Sequence, residues 1–115
     1  MDQKQPKKIS LRPPEKSDAE ICFANLRQKI YSKTASLPYP YTIEMARSFI
    51  RHSRLARKKG TDEIFAIQDD TTGNLVGMLG LHSLKSNARR AELGYWIARA
   101  EWGSGIATMA VKKAL

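Results

Sequence analysis

The sequence predicts an α+β fold: a mostly antiparallel sheet of about four strands, two helices after the first strand, and a further helix at residue 105 and beyond. Three observations carry that prediction. Short stretches of strand character, bounded by Pro, Gly or Asn, recur at 9–12, 63–69, 75–81 and 91–98. Two segments, 17–30 and 42–60, place apolar residues at helical spacing. The last three strands are joined by connections too short for a parallel crossover, so they form an antiparallel meander.

Composition bounds the rest. With 115 residues there is room for one domain, read here as residues 9–115 behind a polar lead of residues 1–8. At 42% hydrophobic and 27% charged residues the chain is globular in composition. No apolar run approaches the roughly 20 residues of a membrane span, and Met1–Lys8 lacks the apolar segment of a signal peptide. The lone Cys22 excludes an internal disulfide, and two histidines with no second cysteine supply no close metal-ligand set. A reducing cytoplasm is the expected compartment, with no membrane partner. The net charge of +9 is lopsided, since residues 1–60 hold 14 Lys/Arg against 5 Asp/Glu while the remainder is balanced. Such an excess either attracts acidic partners or simply keeps the surface solvated.

Ile9–Arg12 is the first strand, stopped by Pro13-Pro14. Ser17-Asp-Ala-Glu20 reads as a capping box, with the Ser17 hydroxyl accepting an amide three residues on and Glu20 reaching back. Behind it Ala19, Cys22, Phe23, Leu26 and Ile30 share one helical face, which makes Cys22 a buried thiol. Leu37–Tyr41 carries two prolines and must run extended, as a rigid spacer or as the border of a substrate entrance. Thr42 is the N-cap of the next helix and Gly60 its end. One side of that helix holds Met45, Ala46, Phe49, Ile50, Ser53 and Ala56; the other holds Arg47, Arg51, Arg54 and Lys58, with His52 at the surface. The basic stripe is either a solvated face or a docking surface for RNA, a ribosome or an acidic protein; it lacks interleaved aromatics. Glu63–Asp69 and Leu75–Leu81 are strands, the second apolar enough to be buried on both faces, with Gly77 and Gly80 admitting a close neighbour. His82 ends it, as a structural histidine more than a catalytic one. Residues 86–90 turn the chain into the last strand.

That strand, Ala91–Ala98, alternates its side chains between two faces. Glu92, Gly94, Trp96 and Ala98 share one of them, and a lone Glu on a core face needs a partner or a cleft. It then runs into Trp102-Gly-Ser-Gly-Ile-Ala-Thr108, a Gly-rich helix start whose amides suit phosphate oxygens. Ala-Glu-Leu-Gly-Tyr-Trp-Ile followed by Trp-Gly-Ser-Gly-Ile-Ala-Thr resembles the GNAT superfamily of acyl-CoA N-acyltransferases, and within it the RimJ/RimL-like ribosomal-protein N-acetyltransferases. The resemblance implies that the amides of Gly103, Ser104, Gly105, Ile106, Ala107 and Thr108 bind the pyrophosphate of acetyl-CoA. It implies that the backbone of Trp96, Ile97 and Ala98 holds the pantetheine arm, and that Glu92 faces the reacting amine as its base. An apolar setting near Trp96 would raise the proton affinity of Glu92; pairing with Arg89 or Arg90 is the competing role. Met109 departs from the Glu usual in that branch. The resemblance covers about the first two-thirds of a family domain, without the strand beside the last one and the hydroxyl that protonates the leaving thiolate. Alone the chain is therefore expected to be weakly active or inactive, unless another chain completes the sheet. The implied reaction is acetyl transfer from acetyl-CoA to a primary amine, such as the N-terminus of a ribosomal protein. The alternative is a non-catalytic CoA-binding remnant or a basic RNA- or ribosome-associated module.

Overall fold

The computed structural model describes residues 8–34, 37–84 and 92–115. Its elements are β1 (Ile9–Arg12), α1 (Asp18–Leu26), α2 (Ile30–Thr34), α3 (Ile43–Lys59), β2 (Glu63–Asp69), β3 (Leu75–His82), β4 (Glu92–Ile97), a 3-10 turn (Arg99–Glu101) and α4 (Ile106–Ala114). The strands form one sheet in the order β1-β2-β3-β4, every neighbouring pair antiparallel. The turn expected at residues 86–90, the pairing of Glu92 with Arg89 or Arg90, and nearly all of the polar lead lie outside the described residues.

The sheet separates two apolar layers. On one face α1 and α3 bury Cys22, Leu26, Ala46 and Ile50 against Ala66 and Met78, with Tyr31 of α2 joining them. On the other, α4 lays Ile106 and Ala110 on Ile9, Ile67, Leu79 and Ile97. Each of the larger aliphatic side chains buried here contributes about 1.5–3 kcal/mol relative to exposure. Strand β3 is buried from Leu75 to Gly80, as its apolar run requires. Gly77 and Gly80 are the close-approach points: a Cβ on Gly77 would strike the Trp96 carbonyl of β4, and one on Gly80 would sit 2.7 Å from His82 Nε2. Burial pushes the Cys22 thiol up to about 12, and its Sγ lies 3.5 Å from Met78 Sδ, so it is a packing residue.

Helix α3 begins and ends where its caps place it: the Met45 amide donates to Thr42 Oγ1 at 3.2 Å, and Gly60 closes the helix in the left-handed region. Its buried face is Ala46, Ile50, Ser53 and Ala56, while Met45 lies exposed outside it. The start of α1 departs from the expected capping box. Ser17 is itself in helical conformation and makes no cap bond. Asp18 takes that place: its carboxylate accepts the Glu15 amide at 2.7 Å and both terminal nitrogens of Arg12 at 2.9 Å. Burial alone would push the Asp18 carboxyl up, but the Arg12 guanidinium and the Glu15 amide hold it below its ordinary value. The helical segment expected to reach Ile30 breaks at Arg27–Lys29 and resumes as α2, giving three helices before β2. No Gly or Pro marks the break. Past it Tyr31 is buried, with its ring edge-on to Trp96 and Trp102.

Candidate active site

Among the described residues β4 is the sheet's outer strand, so one of its edges has no strand partner. The alternation of the antiparallel ladder decides what that edge offers. The Ala98 amide donates to Val76 O at 2.8 Å, and the Trp96 carbonyl lies against Gly77. Trp96 and Ala98 therefore turn their backbone toward β3, while Tyr95 and Ile97 turn theirs outward. The Ile97 carbonyl is already occupied: Tyr31 Oη donates to it at 2.7 Å and Trp102 Nε1 at 2.8 Å. Burial pushes the Tyr31 phenol up, which keeps it a donor. The outward edge thus offers the Tyr95 backbone and the Ile97 amide, a narrower set than the Trp96–Ala98 backbone expected from the sequence. Tyr31 was not legible as a site residue, because nothing local ties it to a strand 66 positions away.

The turn into α4 is open. Gly103 and Gly105 have φ of 81° and 82°, a region that favours glycine, and a Cβ on either would meet nothing within 4 Å. Their conformation, not crowding, calls for glycine. The Ser104 amide and hydroxyl both donate to Glu101 O, so this amide is spent inside the turn. Among the described residues no acceptor is paired with the amides of Gly103, Gly105, Ile106, Ala107 or Thr108. The first bond at this end is from the Met109 amide to Gly105 O, at 3.1 Å. No side chain caps the helix and no acid stands in its first turn. Five bare amides at a positive helix end are the physical requirement for an anion.

These amides and the outward edge of β4 face one groove of about 520 Å³, walled by Tyr31, Leu93–Ile97, Gly103 and Gly105–Thr108. A smaller hollow of about 230 Å³ lies on the α1/α3 face of the sheet, lined by Leu26, Tyr41, Phe49, Met78 and Trp96, with His82 at its wall. Gly94, Tyr95 and Trp96 line both, so the two spaces meet at the middle of β4. Glu92 lines neither; it is exposed and stands opposite His82 in the strand register. The apolar burial expected around it is missing. Of the basic stripe, Arg47, Arg51, Arg54 and Lys58 are all exposed, and Arg47 is bonded to Glu44 at 2.6 Å.

The chain belongs to the acetyltransferase (GNAT) domain family, whose profile matches residues 8–115. It is 29% identical over 106 residues to a Bacillus subtilis (strain 168) protein named as the uncharacterized N-acetyltransferase YoaA, covering 92% of this chain and 60% of YoaA. Among solved structures, the microcin C7 self-immunity acetyltransferase MccE in complex with acetyl-CoA and AMP superposes with a TM-score of 0.76 at 24% identity, over 93% of this chain and 60% of that one. The ribosomal L7/L12 α-N-protein acetyltransferase RimL superposes with a TM-score of 0.73 at 19% identity, over 92% and 59%. The chain spans about 60% of the length of these relatives. No helix among the described residues is long and apolar enough to cross a membrane.

Proposed function

We propose that the chain serves acetyl transfer from acetyl-CoA to a primary amine, with the groove as donor site and the apolar hollow as acceptor site. The observation that carries this reading is the row of bare amides from Gly103 to Thr108, interrupted only at Ser104, facing the groove beside a free strand edge. These amides would receive the diphosphate, and the Tyr95 backbone with the Ile97 amide would align the pantetheine arm as an added strand does. The thioester would then reach Gly94–Trp96, where groove and hollow meet. Trp96 lines both spaces, while the Ala98 amide pairs with β3 and the Ser104 amide is spent inside the turn.

The acceptor side suits an amine on an apolar body. Among the described residues lining the hollow there is no carboxylate to pair a second ammonium, as a polyamine would need. A protein N-terminus, the acceptor class named for RimL, meets that description. Glu92 at the mouth would draw the cationic amine in. Along α3, Arg47, Arg51 and Arg54 with Lys16 line a shallow basic groove on the same side of the sheet, suited to the phosphates of a ribosome-borne substrate. The edge of β4 before Gly94, where Leu93 is exposed, fits a strand from a second copy, which sedimentation would reveal as a dimer. The single buried Cys22 accords with a reducing cytoplasm. Calorimetry tests the core of the reading: acetyl-CoA should bind, and pantetheine, which lacks the diphosphate, should bind at least about 100-fold more weakly, about 2.7 kcal/mol. Absence of binding by both, or equal binding, contradicts it.

A further inference from the structure

The geometry points to His82 as the proton acceptor for the incoming amine, with Asp62 as its positioning residue. This inference rests on the acetyltransferase reading of the two cavities. His82 is the last residue of β3, and its imidazole is partly exposed. It folds back over the sheet: Nε2 lies 2.7 Å from where a Gly80 Cβ would be and 3.6 Å from where a Gly94 Cβ would be. Two glycines on adjacent strands, paired in register, thus clear the floor on which the ring rests. Nε2 is thereby brought beside Gly94, where the donor groove meets the apolar hollow.

The other ring nitrogen is held from behind. Nδ1 lies 3.7 Å from Asp62 Oδ1, within ion-pair range. The same oxygen accepts the Ser83 amide at 3.0 Å, which fixes the carboxylate. That bond requires Ser83 at a φ of 62°, the one left-handed non-glycine among the described residues, and the Leu84 amide secures the bend by donating to Thr61 O at 2.8 Å. Strain of this kind is kept where the surrounding structure holds it for a purpose. Asp62 stands behind Nδ1, which leaves Nε2 on the side of the hollow. The charged groups facing the ring are Asp62, from the turn before β2, and Glu92, across the pair with β4. The helical side of the hollow contributes Phe49, and beside it the phenol of Tyr41, pushed up to about 12 by burial and so neutral.

In the step itself, the amine lone pair forms the C–N bond to the acetyl carbon. One N–H proton passes to His82 Nε2. The C–S bond breaks with its electron pair on sulfur, and the thiolate regains a proton from solvent as the imidazolium returns its own. Amine and acetyl thioester become amide and thiol, with nothing left over.

The test uses the 115-residue chain, acetyl-CoA and benzylamine. His52, exposed on α3, is the internal reference in the imidazole region of the proton NMR spectrum, and His82→Asn assigns the other signal. With CoA bound, benzylamine should shift the His82 signal and leave His52 in place. His82→Asn should lower kcat by about 100-fold or more. Asp62→Asn, which keeps the acceptor for the Ser83 amide, should lower kcat about tenfold with the benzylamine KM unchanged. An unmoved His82 signal, a His82→Asn rate within twofold of the parent, or no turnover with both ligands bound overturns the assignment while CoA binding stands. Failure to bind CoA overturns the acetyltransferase reading and this inference with it.

Discussion

Helices α3 and α4 begin in opposite ways. At the start of α3 the chain answers its own amides: Thr42 Oγ1 accepts the Met45 amide, and Glu44 places a negative charge in the first turn. At the start of α4 it answers almost none: Gly105 offers no side chain, the first turn holds no acid, and five amides face a groove. A cap is worth about 1 kcal/mol, so leaving one out sacrifices stability. On the proposed reading, the capped helix serves the fold and the open one is left for a ligand. Helix α1 has no side-chain cap, but its start is closed onto the preceding chain, where Asp18 accepts the Glu15 amide, and tied to β1 through Arg12.

The sharpest way to break this contrast is to give α4 a cap of its own. Gly105→Asp places a carboxylate beside the bare amides, at the strain cost of a side chain in the left-handed region, which Asp bears better than most residues. CoA affinity, measured by calorimetry, should fall at least about 100-fold, about 2.7 kcal/mol, while thermal stability changes by less than about 1 kcal/mol. Removing the closure at α1 should do the reverse. Asp18→Asn should destabilise the chain by about 2 kcal/mol in urea titration, below the full value of a buried pair because Arg12 is partly exposed, and CoA affinity should hold. The pH dependence follows with a definite sign. Asp18 has its carboxyl held low in the folded state, so its contribution is complete above the ordinary carboxylate value of about 4 and is lost as pH falls below that. In Asp18→Asn that part of the acid sensitivity should vanish. Thr42→Ala should cost about 1 kcal/mol and leave CoA affinity untouched. The smallest effect on stability belongs to Arg51→Glu with Arg54→Glu, within about 0.5 kcal/mol, because both side chains are exposed and in no ion pair among the described residues. If α3 docks on RNA, the pair should lower the salt dependence of RNA binding by about two released counterions.

What the sequence disclosed follows the same division. Local chemistry was legible: Thr42 and Gly60 bound α3 because caps act over three or four residues, and the apolar run of β3 announced burial on both faces. The Gly-rich start of α4 was legible for the same reason. What depends on register was not. The capping box expected of Ser17 and Glu20 does not form, and Asp18 between them is held instead by Arg12, reaching over from the end of β1. The Arg27–Lys29 break has no local stop signal, since its reason is the docking of Tyr31 on the Ile97 carbonyl. The cavity-facing placement of His82 appears only when Gly80 and Gly94 are brought opposite each other across β3 and β4. The one advance hint was period-two spacing, which puts Gly80 and His82 on the same strand face.

Amide chemical shifts on titration with CoA test the open helix start most directly. The account predicts that Gly103, Gly105, Ile106, Ala107 and Thr108 move most, Ser104 less, and Met45 at the capped start of α3 not at all. Shifts at Met45 as large as those at Gly105, or five amides that stay in place while CoA binds elsewhere, would contradict it.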